Sequence, residues 1–417
     1  MEMKVDSLFK EKIRKQVYER MDLSGEIRDE DVNKIIDSCL GQEAGECYIP
    51  LKEKLAIRSD IFNAIRRMDV LSDFLEDDSI TEVMINGADS IFYEKDGRIR
   101  KSEKHFENPD RLMTVIQQIV GEADRMVNET TPIVDVILPD GSRVNVVLNG
   151  ISVDGSAVTI RKFSRKKIDM KKLIELGAID EKTADFMKLL VAAGYNIFIS
   201  GGTGAGKTTF MGALTEYIPD DERVITIEDS AELKVIGVDN LVRLEARNAN
   251  VEGKNMITIR DLIKCSLRMR PDRIIVGEVR DAAAIDMLQA MNTGHDGSLS
   301  TGHANSAHEM LLRLESMVLM GADLPLKAVR QQIASAIDIV VHLGRLRDKS
   351  RKVLEIREVM GMENDEIVTR ELYRFVETDI KQEKVVGELR KINDLVNVGK
   401  LANAGLITVY QERYMQV

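Results

Sequence analysis

Apolar and polar residues at the start of the chain alternate with the period of a helix. Apolar positions recur at this spacing in three stretches, between Phe9 and Val17, between Val32 and Leu40, and between Leu51 and Phe74. Gly41, which follows the second stretch, is a typical helix stop signal. The pattern therefore predicts a small helical bundle over residues 1–75.

From Ile80 the pattern changes to short segments with the period of a strand. The segment IFYEKDGRIR places Asp96-Gly97 between residues of alternating polarity, as in a β-hairpin. The segment VDVILPDGSRVNVVL repeats this arrangement around Asp140-Gly141, and AVTIRKF adds a further strand. We expect an α+β domain over residues 76–163.

A basic segment then separates two patterns. SRKKIDMKKL has little apolar content and predicts an exposed linker over residues 164–180. Beyond it, apolar strands alternate with helices, as in a parallel sheet covered by helices. Residues 181–417 are therefore predicted to form an α/β domain, in which residues 346–417 carry no identifiable chemistry and supply packing and a partner surface.

Composition narrows the class of protein. The 417 residues are 44% hydrophobic and 31% charged, as in a globular protein of two or three domains. No apolar run approaches the ~20 residues of a membrane-spanning helix, and the first residues lack a signal peptide, so we expect a cytoplasmic protein without membrane insertion. The net charge of −11 argues against a nucleic-acid partner. Cys39, Cys47 and Cys265 form no metal-binding pattern.

The most specific motif is a glycine-rich loop between a strand and a helix. The apolar strand NIFIS leads into GGTGAGKTT, and helical FMGALTEYI follows. Backbone N–H groups of such a loop surround phosphate oxygens, Lys207 reaches the β and γ phosphates, and Thr208 places its hydroxyl on Mg²⁺. No guanine-reading NKxD motif is present, which favours ATP over GTP. The predicted nucleotide-binding residues are Gly201, Gly202, Thr203, Gly204, Ala205, Gly206, Lys207, Thr208 and Thr209.

Two further predicted strands end in acidic residues. Strand 223–227 is followed by Glu228, Asp229 and Glu232, and strand 273–276 is followed by Glu278. Carboxylates at the carboxyl ends of strands in one sheet would face the phosphates, where Glu278 would act on Mg²⁺ or its waters. One of these acids is expected to orient the attacking water. The alternative is that these acids only cap helices or carry surface charge; Asp281 is predicted to cap the next helix.

Two histidines follow in the glycine- and serine-rich segment GHDGSLSTGHANS. His295 and His303 could each sense the γ phosphate by hydrogen bonding. A metal site is the rival interpretation, but no third ligand is clustered with them in the sequence.

Taken in order, four of these elements resemble a known family. GGTGAGKTT looks like the Walker A motif, ITIEDSAEL the Asp box, LRMRPDRIIVGEVRD the atypical Walker B motif and GSLSTGHANS the His box of the secretion-superfamily ATPases, which serve type II and type IV secretion, type IV pili and archaeal surface filaments. The helical start resembles the CpaF-like ATPases of tight-adherence (Tad/Flp) pili. The tetracysteine insert of many type II members is missing, which fits that branch or type IV secretion.

The resemblance implies a RecA-like P-loop ATPase core, a PAS-like N-terminal α+β domain, and a homohexamer with Mg²⁺ and ATP bound between the two domains of each subunit. By motif, Glu228 and Asp229 would contact nucleotide, Glu232 would orient water, Glu278 would support the metal, and His303 would report the γ phosphate. Arg143 and Arg161 would act as arginine fingers, with Arg270 a weaker nucleotide contact. The alternative for Arg143 and Arg161 is a solvated position on an antiparallel sheet.

The implied function is that of an ATP-hydrolysing motor for assembly of a Tad/Flp-type pilus or a related type II/IV secretion system; whether it also retracts the filament is left open. Its partners would be polytopic inner-membrane platform proteins, at the inner face of the cytoplasmic membrane. A nucleic-acid-translocating hexameric ATPase shares the phosphate chemistry and is the first alternative. A nucleotide-gated scaffold without hydrolysis is the second.

Overall fold

The computed structural model describes residues 7–21, 28–43, 49–163, 167–247, 255–379 and 384–415. The chain divides into two compact units, an N-terminal unit over Met1–Arg165 and a C-terminal unit over Lys166–Val417. The predicted linker falls at this division, and its residues 164–166 lie outside the described residues.

Helices open the N-terminal unit, as the apolar spacing predicts. They are α1 (Ser7–Arg20), α2 (Asp29–Glu43), α3 (Leu51–Arg66) and α4 (Leu71–Glu76). Ile13 and Val17 of α1 are buried against Ile36 of α2 in a small apolar core. The single helix predicted from Leu51 to Phe74 is wrong, because the backbone turns extended after α3 and Asp69 takes a φ of 53°.

An antiparallel sheet completes this unit. Its elements are β1 (Ile80–Asn86), β2 (Ile91–Lys95), β3 (Arg98–Lys101), α5 (Pro109–Glu122), β4 (Ile133–Ile137), β5 (Arg143–Val147) and β6 (Ala157–Arg161). The strand order is β3-β2-β1-β6-β5-β4. Asp96 and Gly97 both have positive φ, 53° and 71°, which is the geometry of the predicted two-residue hairpin turn. Helix α5 buries Leu112, Ile116 and Ile119 in the core of this unit.

The C-terminal unit is a nine-stranded sheet with helices on both faces. Its strands are β7 (Ile197–Gly201), β8 (Val224–Glu228), β9 (Leu241–Glu245), β10 (Arg273–Val276), β11 (Leu299–Gly302), β12 (Ile339–Arg345), β13 (Arg351–Glu363), β14 (Glu366–Asp379) and β15 (Val386–Lys391). Its helices are α6 (Met170–Glu175), α7 (Glu181–Ala192), α8 (Lys207–Leu214), α9 (Ile259–Ser266), α10 (Ala283–Asn292), α11 (Ala307–Gly321), α12 (Leu326–Ala336), α13 (Gly399–Asn403) and α14 (Ile407–Tyr414).

The strand order of this sheet is β15-β14-β13-β12-β7-β11-β10-β8-β9. Strands β7 to β12 pair in parallel, and β13 to β15 continue the sheet in antiparallel pairs. Ile197 and Ile199 enter the core on one face of the sheet, whereas Phe198 enters the core on the other. Burial on both faces explains why these strands are continuous apolar runs in the sequence, and the α/β prediction is confirmed.

Two segments are more ordered than their composition suggests. Within the predicted linker, Asp169 caps α6 by accepting a hydrogen bond from the Lys172 N–H at 2.7 Å, and Met170 and Leu173 are buried. Beyond residue 346, Tyr373 and Tyr410 lie in the core of the C-terminal unit. Among the described residues, no helix has the length and apolar character needed to cross a membrane.

Candidate functional site

The glycine-rich loop joins β7 to α8 in a conformation that depends on glycine. A Cβ added to Gly201 would lie 2.5 Å from the carbonyl oxygen of Leu343, so no side chain fits there. Gly206, which directly precedes α8, has a φ of 94°. The loop therefore leads into the N-terminus of a helix, and no side chain separates its backbone from a ligand at Gly201 or Gly206. An anion-binding site requires this close approach of the backbone.

Lys207, the first residue of α8, has its charge turned toward this loop. Its side chain is buried, and Nζ donates hydrogen bonds to the carbonyl oxygens of Gly201 at 3.1 Å and Gly202 at 3.2 Å. Thr208 follows at the second position of the helix and is half-buried, and Thr209 is exposed. The loop thus holds a buried positive charge directly beside its backbone.

A histidine and a carboxylate complete a cluster around this lysine. The parallel pairing of β7, β11 and β10 brings His303 and Glu278 to the edge of the sheet where the loop begins. Nζ of Lys207 lies 3.3 Å from Nδ1 of His303, and Nε2 of His303 lies 3.2 Å from Oε1 of Glu278. The imidazole therefore bridges the ammonium group and the carboxylate.

The protonation states in this cluster are set by its surroundings. Burial, assisted by the charge of Lys207, lowers the pKa of His303, so the imidazole is neutral at pH 7 and its contact with Glu278 is a hydrogen bond. Burial by itself would raise the pKa of Glu278, but the hydrogen bond and charge of Arg280 outweigh it and the pKa lies below its usual value. Glu278 is therefore ionised at neutral pH.

Arg280 is a site residue that sequence reasoning missed. Its Nε and Nη2 donate to the two carboxylate oxygens of Glu278 at 2.9 and 3.1 Å, and Nη1 lies 3.8 Å from Asp229. The sequence signal for this contact is the arginine two residues after the acid in VGEVRD. The structure shows these two residues between β10 and α10, outside any helix. Asp281, predicted to cap α10, does not: Ala282 is the N-cap and Asp281 has a φ of 46°.

Glu228, at the end of β8, is the most unusual acid of the site. It is 4% exposed, and Oε1 accepts the Leu233 N–H at 2.8 Å. Its Oε2 is buried and has no hydrogen-bond partner within the part of the chain that the structure describes. Burial raises the pKa of Glu228 to about 7. In the same segment Asp229 is exposed and Glu232 half-buried.

Other predicted residues lie elsewhere. Arg143 on β5 and Arg161 on β6 are cross-strand neighbours in the sheet of the N-terminal unit. Arg270 precedes β10 and His295 precedes β11, so both lie at the opposite edge of the sheet from Lys207. The expectation for His295 is therefore wrong; its Nδ1 instead lies 3.0 Å from the carbonyl oxygen of Ala290.

A second histidine, which the sequence did not single out, supports the strand that carries the loop. Nδ1 of His342 on β12 lies 2.8 Å from Oγ of Ser200 on β7, and both side chains are buried. Burial lowers the pKa of His342, so this is a contact between two neutral groups. It fastens the last residue before Gly201 to the neighbouring strand.

Comparison with known proteins shows which family this chain resembles. The family model of the type II/IV secretion system proteins matches residues 66–406. A putative conjugal transfer protein of Mycobacterium tuberculosis is 35% identical over 293 residues, covering 69% of this chain and 83% of the relative. The type IV secretion system protein VirB11 of Bartonella quintana is 30% identical over 332 residues, covering 70% of this chain and 92% of the relative.

A solved structure shows the same fold. The crystal structure of the pilus retraction motor PilT with bound ADP superimposes with a TM-score of 0.50 at 20% identity. The match covers 84% of this chain and 90% of PilT.

Proposed function

The chain belongs to the type II/IV secretion system protein family, and on that premise we propose that it hydrolyses ATP to drive assembly of a pilus or secretion system. The observation that carries the proposal is the cluster of Lys207, His303 and Glu278 beside a glycine loop. Three parallel strands supply these groups from distant parts of the sequence. Such convergence of a cation, a neutral hydrogen-bonding ring and an ionised acid suits phosphoryl transfer to water.

The loop fits the phosphates of ATP. Gly201 admits no side chain, and space beside Gly202 is open, so the backbone N–H groups of residues 201–206 can approach an anion. Lys207 would exchange its two carbonyl contacts for phosphate oxygens. Mg²⁺ would be held by the Thr208 hydroxyl and the Glu278 carboxylate, and it would neutralise phosphate charge.

The acids and the histidine would divide the remaining work. Because the pKa of Glu278 is lowered, it presents a charged carboxylate at pH 7. Neutral His303 has a single N–H, which would leave Glu278 to donate to a terminal phosphate oxygen. Glu232 would orient the attacking water, while Glu228 and Asp229 line the same side of the site. We keep Arg143 and Arg161 as candidate arginine fingers and Arg270 as a weaker nucleotide contact. Because Arg270 lies at the opposite edge of the sheet from Lys207, the nucleotide that it contacts would be one bound by a neighbouring subunit.

A homohexamer is part of the proposal. Closing and reopening of subunits around the ring would convert hydrolysis into a push on a polytopic inner-membrane platform protein, with the motor at the inner face of the cytoplasmic membrane. The VirB11 relative is by name a type IV secretion system protein, which supports a role of this chain in such a system. The helical start favours a Tad/Flp system, and the lack of a tetracysteine insert fits either that branch or type IV secretion.

The direct test is release of inorganic phosphate by the purified chain with ATP and Mg²⁺, with the oligomeric state measured by light scattering. We expect turnover in a hexamer and less than about a twofold change when double-stranded DNA is added at physiological salt. ATP binding without phosphate release would instead indicate a nucleotide-gated scaffold. Strong stimulation by DNA would indicate a nucleic-acid motor.

A further inference from the structure

The hairpin between β12 and β13 lies at the edge of the sheet that carries the glycine loop. Leu343 of β12 pairs in parallel with Gly201 of β7, so β12 ends beside the loop. The chain then turns back, and Arg345 and Arg351 are cross-strand partners on the two sides of the turn. Two guanidinium groups from a segment without any recognisable motif are thereby placed next to the loop.

Arg351 makes a specific contact with the loop backbone. Its Nε donates a hydrogen bond to the carbonyl oxygen of Gly204 at 2.8 Å. Its Cδ lies 3.4 Å from the point where a Cβ on Gly206 would stand, and Nη1 of Arg345 lies 3.7 Å from the corresponding point on Gly204. The two arginines thus border the glycines on which the shape of the loop depends.

The hairpin is itself held in place. Oδ1 of Asp348 accepts the Ser350 N–H at 3.0 Å, and Oδ2 accepts the Val385 N–H at 2.9 Å from the segment before β15. Arg347 forms an ion pair with Glu377 of β14. The hairpin that carries Arg351 is therefore held by contacts to neighbouring segments, so its contact with Gly204 comes from a fixed position.

Fixing the Gly204 carbonyl fixes the plane of the peptide that also carries the Ala205 N–H. This N–H donates to the carbonyl oxygen of Gly202 at 3.3 Å, so the same peptide joins the contact from Arg351 to a turn within the loop. A bound phosphate would take this N–H from Gly202. Gly204 has a φ of 70° and Gly206 a φ of 94°, so the unrestrained loop has many other conformations open to it. An outside hydrogen bond that selects one of them prepares the loop for an anion before it binds.

We propose that Arg351 is a positioning residue that holds the phosphate loop in its binding conformation and thereby sets nucleotide affinity; the affinity part rests on the proposed function. Arg351 acts through the loop backbone and takes no part in the chemical step. Arg351→Ala should therefore raise the KM for ATP about 10-fold and change kcat less than about twofold. Arg351→Lys keeps the charge but lacks the planar guanidinium, and should regain less than half of the lost affinity on a logarithmic scale.

The closing experiment reads the loop without nucleotide. Hydrogen exchange of the peptide spanning residues 201–207 in the ligand-free protein should be about 10-fold faster in Arg351→Ala than in the unaltered chain. Arg390→Ala, which removes an exposed arginine on β15 of the same sheet, is the matched control and should change neither exchange nor KM.

Unchanged loop exchange in Arg351→Ala, or full recovery of KM in Arg351→Lys, would overturn the positioning role. Failure of the unaltered chain to hydrolyse ATP would refute the proposed function instead, and the exchange measurement would still decide whether Arg351 positions the loop. Circular dichroism and thermal unfolding of each variant separate these results from loss of the fold.

Discussion

The two sheets of this protein bring distant residues together in different ways. In the C-terminal unit, parallel strands end at one shared edge, so Lys207 and His303 meet although they are 96 residues apart. In the N-terminal unit the strands are antiparallel and share no such edge. There, the register between neighbouring strands decides which residues meet, and it places Arg143 directly opposite Arg161.

The difference teaches where function is visible in a sequence. Residues at the ends of parallel strands can be grouped once the strands are recognised, as Glu228 and Glu278 were. Cross-strand partners stay hidden until the register is known. A pair of like charges directly opposite each other is unfavourable by itself, and the use that we propose for Arg143 and Arg161 is as arginine fingers.

The largest expected effect tests whether that use is catalytic. Arg143→Ala and Arg161→Ala should each lower kcat for ATP hydrolysis about 10³-fold in the assembled protein, because an arginine finger stabilises charge in the transition state. Steady-state phosphate release measures this. Arg100→Ala, an exposed arginine on β3 of the same sheet, is the control and should keep full activity. Unchanged rates in the first two variants would leave both arginines as ordinary surface residues.

The second-largest expected effect is the pH dependence of stability that Glu228 causes. Below its ordinary pKa of 4.5 the folded and unfolded chains both hold the proton, and between 4.5 and about 7 only the folded chain does. The contribution of Glu228 to the free energy of unfolding therefore falls as pH rises through this window, by about 3 kcal/mol, and levels off above it.

Glu228→Gln removes the titrating group while retaining the acceptor for the Leu233 N–H. In urea unfolding followed at pH 5 and pH 8, the variant should lose less stability between the two pH values than the unaltered chain. Asp229→Asn, which neutralises the exposed neighbouring acid, should behave like the unaltered chain. Parallel pH curves for Glu228→Gln and the unaltered chain would mean that Glu228 is not a buried, protonated acid near pH 6.

The smallest expected effect separates the two edges of the parallel sheet. His303→Ala should lower kcat about 10-fold with little change in KM, because it removes one hydrogen bond that forms with the reacting phosphate. His295→Ala, at the opposite edge, should leave kcat unchanged. An equal loss of kcat in the two variants would show that the position of a histidine at one edge of the sheet or the other does not decide whether it contributes to hydrolysis.

Much of the fold could be predicted from the sequence because its signals are local. The apolar runs of β7 and β10, the glycine loop and the Asp96-Gly97 turn each follow from a few neighbouring residues. The helix α6 was missed because its two lysines face solvent, while Met170 and Leu173 enter the core and Ile174 packs against it partly buried.

Contacts between distant residues account for what the sequence did not reveal. Arg273, 1% exposed, forms an ion pair with Glu222, 51 residues earlier, and no local pattern shows that this arginine is buried. Arg351 contacts a loop 147 residues away through a hairpin that carries no motif. By residue type and neighbours alone, His295 and His303 look alike. The family resemblance points to His303, and the direction of β11 between the two places His303 and not His295 at the loop.

The central claim is that a triphosphate binds in the loop ending at Lys207 and is hydrolysed there. Phosphate release by Lys207→Ala, compared with the unaltered chain and with Lys172→Ala on the exposed face of α6, tests it most directly. We expect Lys207→Ala to lose at least about 100-fold in rate while Lys172→Ala keeps full activity. A correctly folded Lys207→Ala protein that hydrolyses ATP as fast as the unaltered chain would contradict the account.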